Sequence, residues 1–171
     1  MTKKNKNGNN IITSGHQEWI EADRKWEAGD VVSAYDLFLT SARKGNSDAQ
    51  NSVGYFLDNG ICGSCDKTEA LKWYKKAARQ ENSCAKVNIG TIYRDIGNIK
   101  RAFYWFQKSY TENSDGDAGI ELAKILLVRK SKRNMHKAHE LLLKVINLQN
   151  VTPLSIDEAK EIMKKLSEDT E

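Results

Sequence analysis

An all-α solenoid is the fold that this 171-residue sequence predicts, and three observations point to it. Alanines at 34, 70, 102 and 138 recur at intervals of 36, 32 and 36 residues, and each opens the same pattern of apolar and small residues. A second series, Ala49, Ala85 and Ala118, interleaves with the first at intervals of 36 and 33. The chain has one proline and no valine-rich alternating run, so sandwiches, barrels and doubly wound sheets have no strands to be built from. Apolar residues are 39% of the chain and its net charge is only +4, enough for a modest core without self-repulsion.

Taken in order, residues 1–15 read as a solvated tail, with Lys3, Lys4, Lys6 and four asparagines in the first ten positions and Ile11 and Ile12 resting on the first helix. Residues 16–28 and 31–44 form a divergent first helix pair, with Trp19, Ala22 and Trp26 on one face and Gly29-Asp30 as the turn. In the first alanine series, here the B helices, a bulky pair follows at +3 and +4: Leu37/Phe38, Trp73/Tyr74, Trp105/Phe106 and Leu141/Leu142. Ser41/Ala42, Ala77/Ala78, Ser109/Tyr110 and Val145/Ile146 come one turn later, so all these positions share one helical face.

In the second series, the A helices, an apolar and then a small residue follow at +4 and +5: Val53-Gly54, Ile89-Gly90 and Leu122-Ala123. A glycine inside a helix costs about 1 kcal/mol relative to alanine, so its repetition implies a close helix crossing. Gly60 and Gly97 stand where C-caps are expected. The last B helix is predicted at about 134–149. Thr152-Pro153 and Ser155-x-x-Glu158 then signal a final helix whose apolar stripe is Ile156, Ala159, Ile162, Met163 and Leu166. One wet and one dry face make it a terminal cap. The organisation is thus a tail (1–15), a solenoid (16–150) and a capping helix with a short acidic end (151–171).

Ala70-Leu71-Lys72-Trp73-Tyr74-Lys75-Lys76-Ala77-Ala78 followed by Ala85-x-x-x-Ile89-Gly90-x-x-Tyr93 resembles the Sel1-like repeat, a relative of the tetratricopeptide repeat. Ala49-x-x-x-Val53-Gly54-x-x-Leu57-x-x-Gly60, with Asp66 before the next helix, is similar to its first helix and connecting loop. The likeness covers about residues 31–150, and is looser in the fourth unit, where Leu122-Ala123 and Leu141-Leu142 replace the usual pairs. It implies a right-handed α-solenoid of about four helix-turn-helix units that binds protein, without catalysis or cofactor.

If the helices stack as in tetratricopeptide arrays, the A helices line the concave side. Their off-stripe residues then face the groove: Asn51, Tyr55 and Asp58, then Asn88, Thr91, Arg94 and Asp95, then Glu121 and Lys124. Tyr104 also falls off the stripe. This mixture of charges with a tyrosine suits a protein partner better than a lipid or a nucleic acid. Arg129, Lys130, Lys132 and Arg133 read as an electrostatic rim. Their local role would be to complement the dipole at the end of the last A helix.

Little else in the chain points to chemistry. Cys62-Gly63-Ser64-Cys65 has the spacing of half a zinc site or of a redox pair, but no second such pair follows and His136 and His139 lie two repeats on. No nucleophile-elbow, zincin or P-loop motif occurs, so the chain reads as no enzyme, with no metal, cofactor or small-molecule substrate. The longest apolar run falls short of the about 20 residues that cross a bilayer, and the basic start has no apolar segment behind it. Three cysteines suit a reducing compartment, so a cytoplasmic place is expected. A charge of +4 spread along the chain gives nucleic acid no concentrated stripe.

The expected function is non-enzymatic binding of one protein partner, most concretely by an immunity or inhibitor protein that sequesters a cognate antibacterial toxin. An adaptor that recruits without inhibiting is the alternative, and a metal- or redox-responsive protein acting through Cys62 and Cys65 is a distant third.

Overall fold

The described residues, 15–128, 131–149 and 151–168 of this computed structural model, form nine helices and no strand. They are α1 (His16–Glu27), α2 (Val31–Arg43), α3 (Ser47–Asn59), α4 (Lys67–Ala78), α5 (Ser83–Asp95), α6 (Ile99–Asn113), α7 (Gly116–Leu127), α8 (Lys132–Ile146) and α9 (Pro153–Glu168). Ile11, Ile12, Arg129 and Lys130 lie outside the described residues. The chain divides into two compact units, Met1–Asn88 and Ile89–Glu171.

Local chemistry sets the helix starts. The side chains of Asp30, Asn46, Asp66, Asn82, Asn98, Asp115 and Ser131 each accept the backbone N–H three residues on, at 2.9–3.3 Å. Each thereby satisfies a donor that a helix start leaves without an intrahelical partner. Thr152 does the same for α9, its Oγ1 accepting from Ser155 N at 3.1 Å. Of the two expected start signals Thr152-Pro153 is thus the cap, while Ser155 lies within the helix, 7% exposed, and its hydroxyl donates to Asp117. Ser131 likewise starts α8 at Lys132, two residues before the expected boundary.

In the first unit the predicted stripes meet in one core, where Phe38, Val53, Phe56 and Trp73 pack with Ala22, Ala34, Ala42 and Ala49. The Phe56 ring lies 5.0–5.6 Å from the rings of Trp26, Tyr35 and Phe38, which ties the divergent first pair to α3. Gly54 lets α3 approach α4: a Cβ there would stand 2.6 Å from the Tyr74 ring.

In the second unit Ile120, Ala123, Ala138, Leu142, Val145 and Ala159 form the core. Ile162, Met163 and Leu166 cover it from α9, whose Glu161, Lys164 and Lys165 stay exposed. Gly90 stands to Phe106 as Gly54 stands to Tyr74, with a Cβ falling 2.7 Å from the ring. The fourth repeat departs from expectation. Ala123 is merely buried, and the close crossing is made one turn earlier by Gly119, where a Cβ would lie 2.5 Å from Val145 and 3.1 Å from Tyr110.

Candidate functional site

In the first unit, Asn51, Tyr55 and Asp58 rise at successive turns of α3, and Asn88 of α5 joins them by donating from Nδ2 to Asn51 Oδ1 at 3.0 Å. Asp58 accepts from Lys67 Nζ at 2.9 Å, and the Tyr55 ring is 46% exposed. The Tyr74 side chain is fully buried, and its hydroxyl has no hydrogen-bond partner among the described residues. Burial, then the nearby Asp58 and Tyr55, push its pKa far above the usual tyrosine value, so it stays neutral. Tyr104, expected off the core, is 57% exposed.

Charge organises the corresponding face of the second unit. Arg94 donates to Asp95 at 3.0 and 3.2 Å and also to Glu121. Glu121 accepts from Lys124 at 2.8 Å, and Lys124 reaches Glu158 at 2.7 Å. Four of the five predicted residues here therefore form one ionic chain, Asp95–Arg94–Glu121–Lys124, which Glu158 extends from α9. Thr91 is half-buried and contributes no link that the structure displays. Burial by itself would lower the Lys124 and Arg94 pKa values. The carboxylates outweigh it, Glu121 and Glu158 for the lysine and Glu121 and Asp95 for the arginine, so both lie above their ordinary values.

Beside this chain opens a cleft of about 650 Å³. Arg94, Glu121 and Lys124 stand along it, and Ile99 and Phe103 of α6 with Ile125 and Val128 supply apolar wall. Sequence reasoning missed these walls because they fall outside the repeated stripes. The signal that was available is the pairing of spare apolar residues at helical spacing, 99 with 103 and 125 with 128.

The basic rim changes meaning. Arg129 and Lys130 are outside the described residues, while Lys132 and Arg133 occupy the first turn of α8. Cations there oppose the helix dipole, so for Lys132 and Arg133 the expected complement to the end of an A helix does not hold.

Cys62, Cys65 and Cys84 are exposed, and none of them is in a disulfide among the described residues. Burial, then Asp36, raises the Cys62 thiol pKa, which disfavours the thiolate that metal binding and exchange require. His136 and His139 are exposed on α8, in the other unit, with His136 facing Glu140 at 3.6 Å. Among the described residues no three His, Cys, Asp or Glu converge as metal ligands. Purified protein is expected to carry less than one zinc per chain, and Cys62→Ser with Cys65→Ser to leave the melting temperature unchanged. Stoichiometric zinc by elemental analysis, with unfolding on chelation, would contradict this. None of the described helices is long and apolar enough to cross a membrane.

The Sel1 repeat family matches residues 47–82 and 90–114, which are α3–α4 and most of α5–α6. Among solved structures the chain is similar to a protective antigen of uropathogenic Escherichia coli strains that displays an SLR fold. The identity is 30% and the TM-score 0.71, over 77% of this chain and 30% of that one. It is also similar to a Sel1 repeat protein from Oxalobacter formigenes, at 27% identity and TM-score 0.65, over 74% of this chain and 53% of that one. The chain thus spans less than a third of the first relative's length and about half of the second's. No curated protein matches the sequence.

Proposed function

The chain carries Sel1 repeats, and from that premise we propose that it is a non-enzymatic module binding one protein partner through the outward faces of its A helices. The observation that carries this reading is a division of labour. Repeated positions such as Val53, Ile89, Phe106 and Leu142 are buried, while Tyr55, Arg94 and Lys124 on the A helices reach solvent. Tyrosine and arginine are the residue types most often found as binding hot spots. The most concrete form of the proposal is an immunity or inhibitor protein that sequesters a toxin, since occlusion needs a complementary surface and no catalytic group.

The test is to recover the bound chain by co-purification from the native cell and then measure its affinity. Tyr55→Ala combined with Arg94→Ala is expected to weaken binding by about 2–4 kcal/mol with an unchanged helical signal. If the partner is a toxin, the wild-type chain restores growth to cells expressing it and the double variant does not. A partner that leaves growth unaffected would remove the inhibitor reading and leave the adaptor. Full rescue by a stable double variant would place the contact elsewhere.

A further inference from the structure

We propose that the cleft of the second unit seats an acidic amphipathic segment of the protein partner, with bulky apolar side chains between α6 and α7 and carboxylates against the cations at the cleft's edge. This deepens, and rests on, the reading of the chain as a protein-binding module.

The apolar half of the argument is the wall itself. Ile99 is 44% exposed and Val128 81%, and Ile96 in the preceding turn is 60% exposed. Large aliphatic side chains grouped in this way around a cleft mark an interaction surface. Walls so open to solvent suit a helix or strap laid across them, which presents one or two anchoring side chains. An acyl chain calls for enclosure on all sides, which this cleft does not supply.

The charge half comes from the helix starts. α3, α4 and α7 each carry an acid in the first turn (Asp48, Glu69 and Asp117), the sign that the helix dipole favours there. α6 and α8, which bring Lys100 and Asn134 to the cleft from their first turns, carry none, a lack they share with α2, α5 and α9. α6 carries Lys100 and Arg101 in its first turn, directly after Ile99, and α8 begins with Lys132 and Arg133. Lys100, Lys132 and Arg133 are exposed and make no ion pair among the described residues. Glu121, the carboxylate lining the cleft, is already held by Arg94 and Lys124. Lys100 thus lines the cleft, and Lys132 and Arg133 directly precede its lining residue Asn134, all three at helix starts that disfavour cations and with no carboxylate of the cleft to spare. An incoming chain with the opposite charge supplies what is missing.

The test titrates the isotopically labelled full chain with synthetic helical peptides of about 15 residues. One is acidic with a Leu and a Phe one turn apart, the second replaces its Glu by Lys, and the third replaces the Leu and Phe by Ala. Laurate is the fourth probe. The acidic amphipathic peptide alone is expected to bind, with Kd on the order of 10–100 µM, shifting amides within 94–103, 121–128 and 131–136. Val128→Asp and Lys100→Glu, both at exposed positions, should each weaken it about fivefold or more, while Val32→Asp in the first unit changes nothing. Equal binding of the basic peptide, shifts confined elsewhere, binding of laurate alone, or no binding at all would overturn the proposal. Undiminished capture of the native partner by Val128→Asp would overturn it too and leave the module reading standing. A wild-type chain that captures no partner, while the acidic peptide still binds in the cleft, would count against the module reading alone.

Discussion

Gly90→Leu is expected to cost more than about 3 kcal/mol, read as a shift of the urea midpoint at constant slope. The smaller change Gly90→Ala makes the argument sharper, because it has a favourable term to overcome. In an open helix position that substitution gains about 1 kcal/mol of helix propensity. At Gly90 the new Cβ falls 2.7 Å from Phe106 Cδ1 and Cε1, and 3.0 Å from Cζ. Phe106 is completely buried, so its ring has no free volume to move into. The clash outweighs the propensity gain, and Gly90→Ala is expected to destabilise by about 1–3 kcal/mol. Phe106→Leu should recover part of that loss in the Gly90→Ala background, a coupling that distant sites do not show. Gly8→Leu, outside the described residues, is expected to be silent. Equal stability of the Gly8 and Gly90 variants would mean that the repeat register is wrong.

How much was legible follows from which residue types tolerate replacement. Ala34, Ala70, Ala102 and Ala138 are all completely buried, as are Ala49, Ala85 and Ala118, each on the packed face of its helix. Their spacing is therefore a direct record of the packing. Gly54 and Gly90 record it too, each lying against one aromatic ring. In the fourth repeat Val145 replaces the +7 alanine or serine, and the close approach moves one turn back to Gly119, so a fixed template points to Ala123 instead. The helix starts were readable and underused: an Asp, Asn, Ser or Thr caps every helix from α2 to α9. The cleft was not readable, since it needs α6 and α7 placed side by side, and no periodicity in one helix shows where another stands. The pairing of Arg94 with Glu121, 27 residues apart, was hidden for the same reason.

That pairing supports the second large effect. Glu121→Ala is expected to cost about 2–3 kcal/mol, well beyond an exposed ion pair at about 0–1 and short of a fully buried one at about 3–5. The Glu121 side chain is 14% exposed, while those of Arg94 and Lys124 are 38% and 42% exposed. Removing the carboxylate leaves two cations on the same strip of surface with no charge between them. Arg94 keeps Asp95 and Lys124 keeps Glu158, which holds the loss below that of an orphaned buried charge. Raised salt should shrink the effect only partly, because screening acts most strongly on exposed charges. The pH dependence has a definite sign: a raised lysine pKa means stability that is fully present below the unfolded value, about 10.4, and lost as pH rises through the folded one. Between pH 6 and about 9 the contribution of Lys124 should therefore be flat. Arg94→Ala should cost less in the Glu121→Ala background than alone, since it then relieves a repulsion. The same variants bear on binding, because a partner that uses Arg94 and Lys124 must compete with Glu121 for them. Glu121→Ala should consequently tighten an acidic partner in the cleft while loosening the fold, and calorimetric titration alongside urea unfolding separates the two. Weaker binding together with unchanged stability would show that Glu121 contacts the partner directly and has no share in holding the two cations in place.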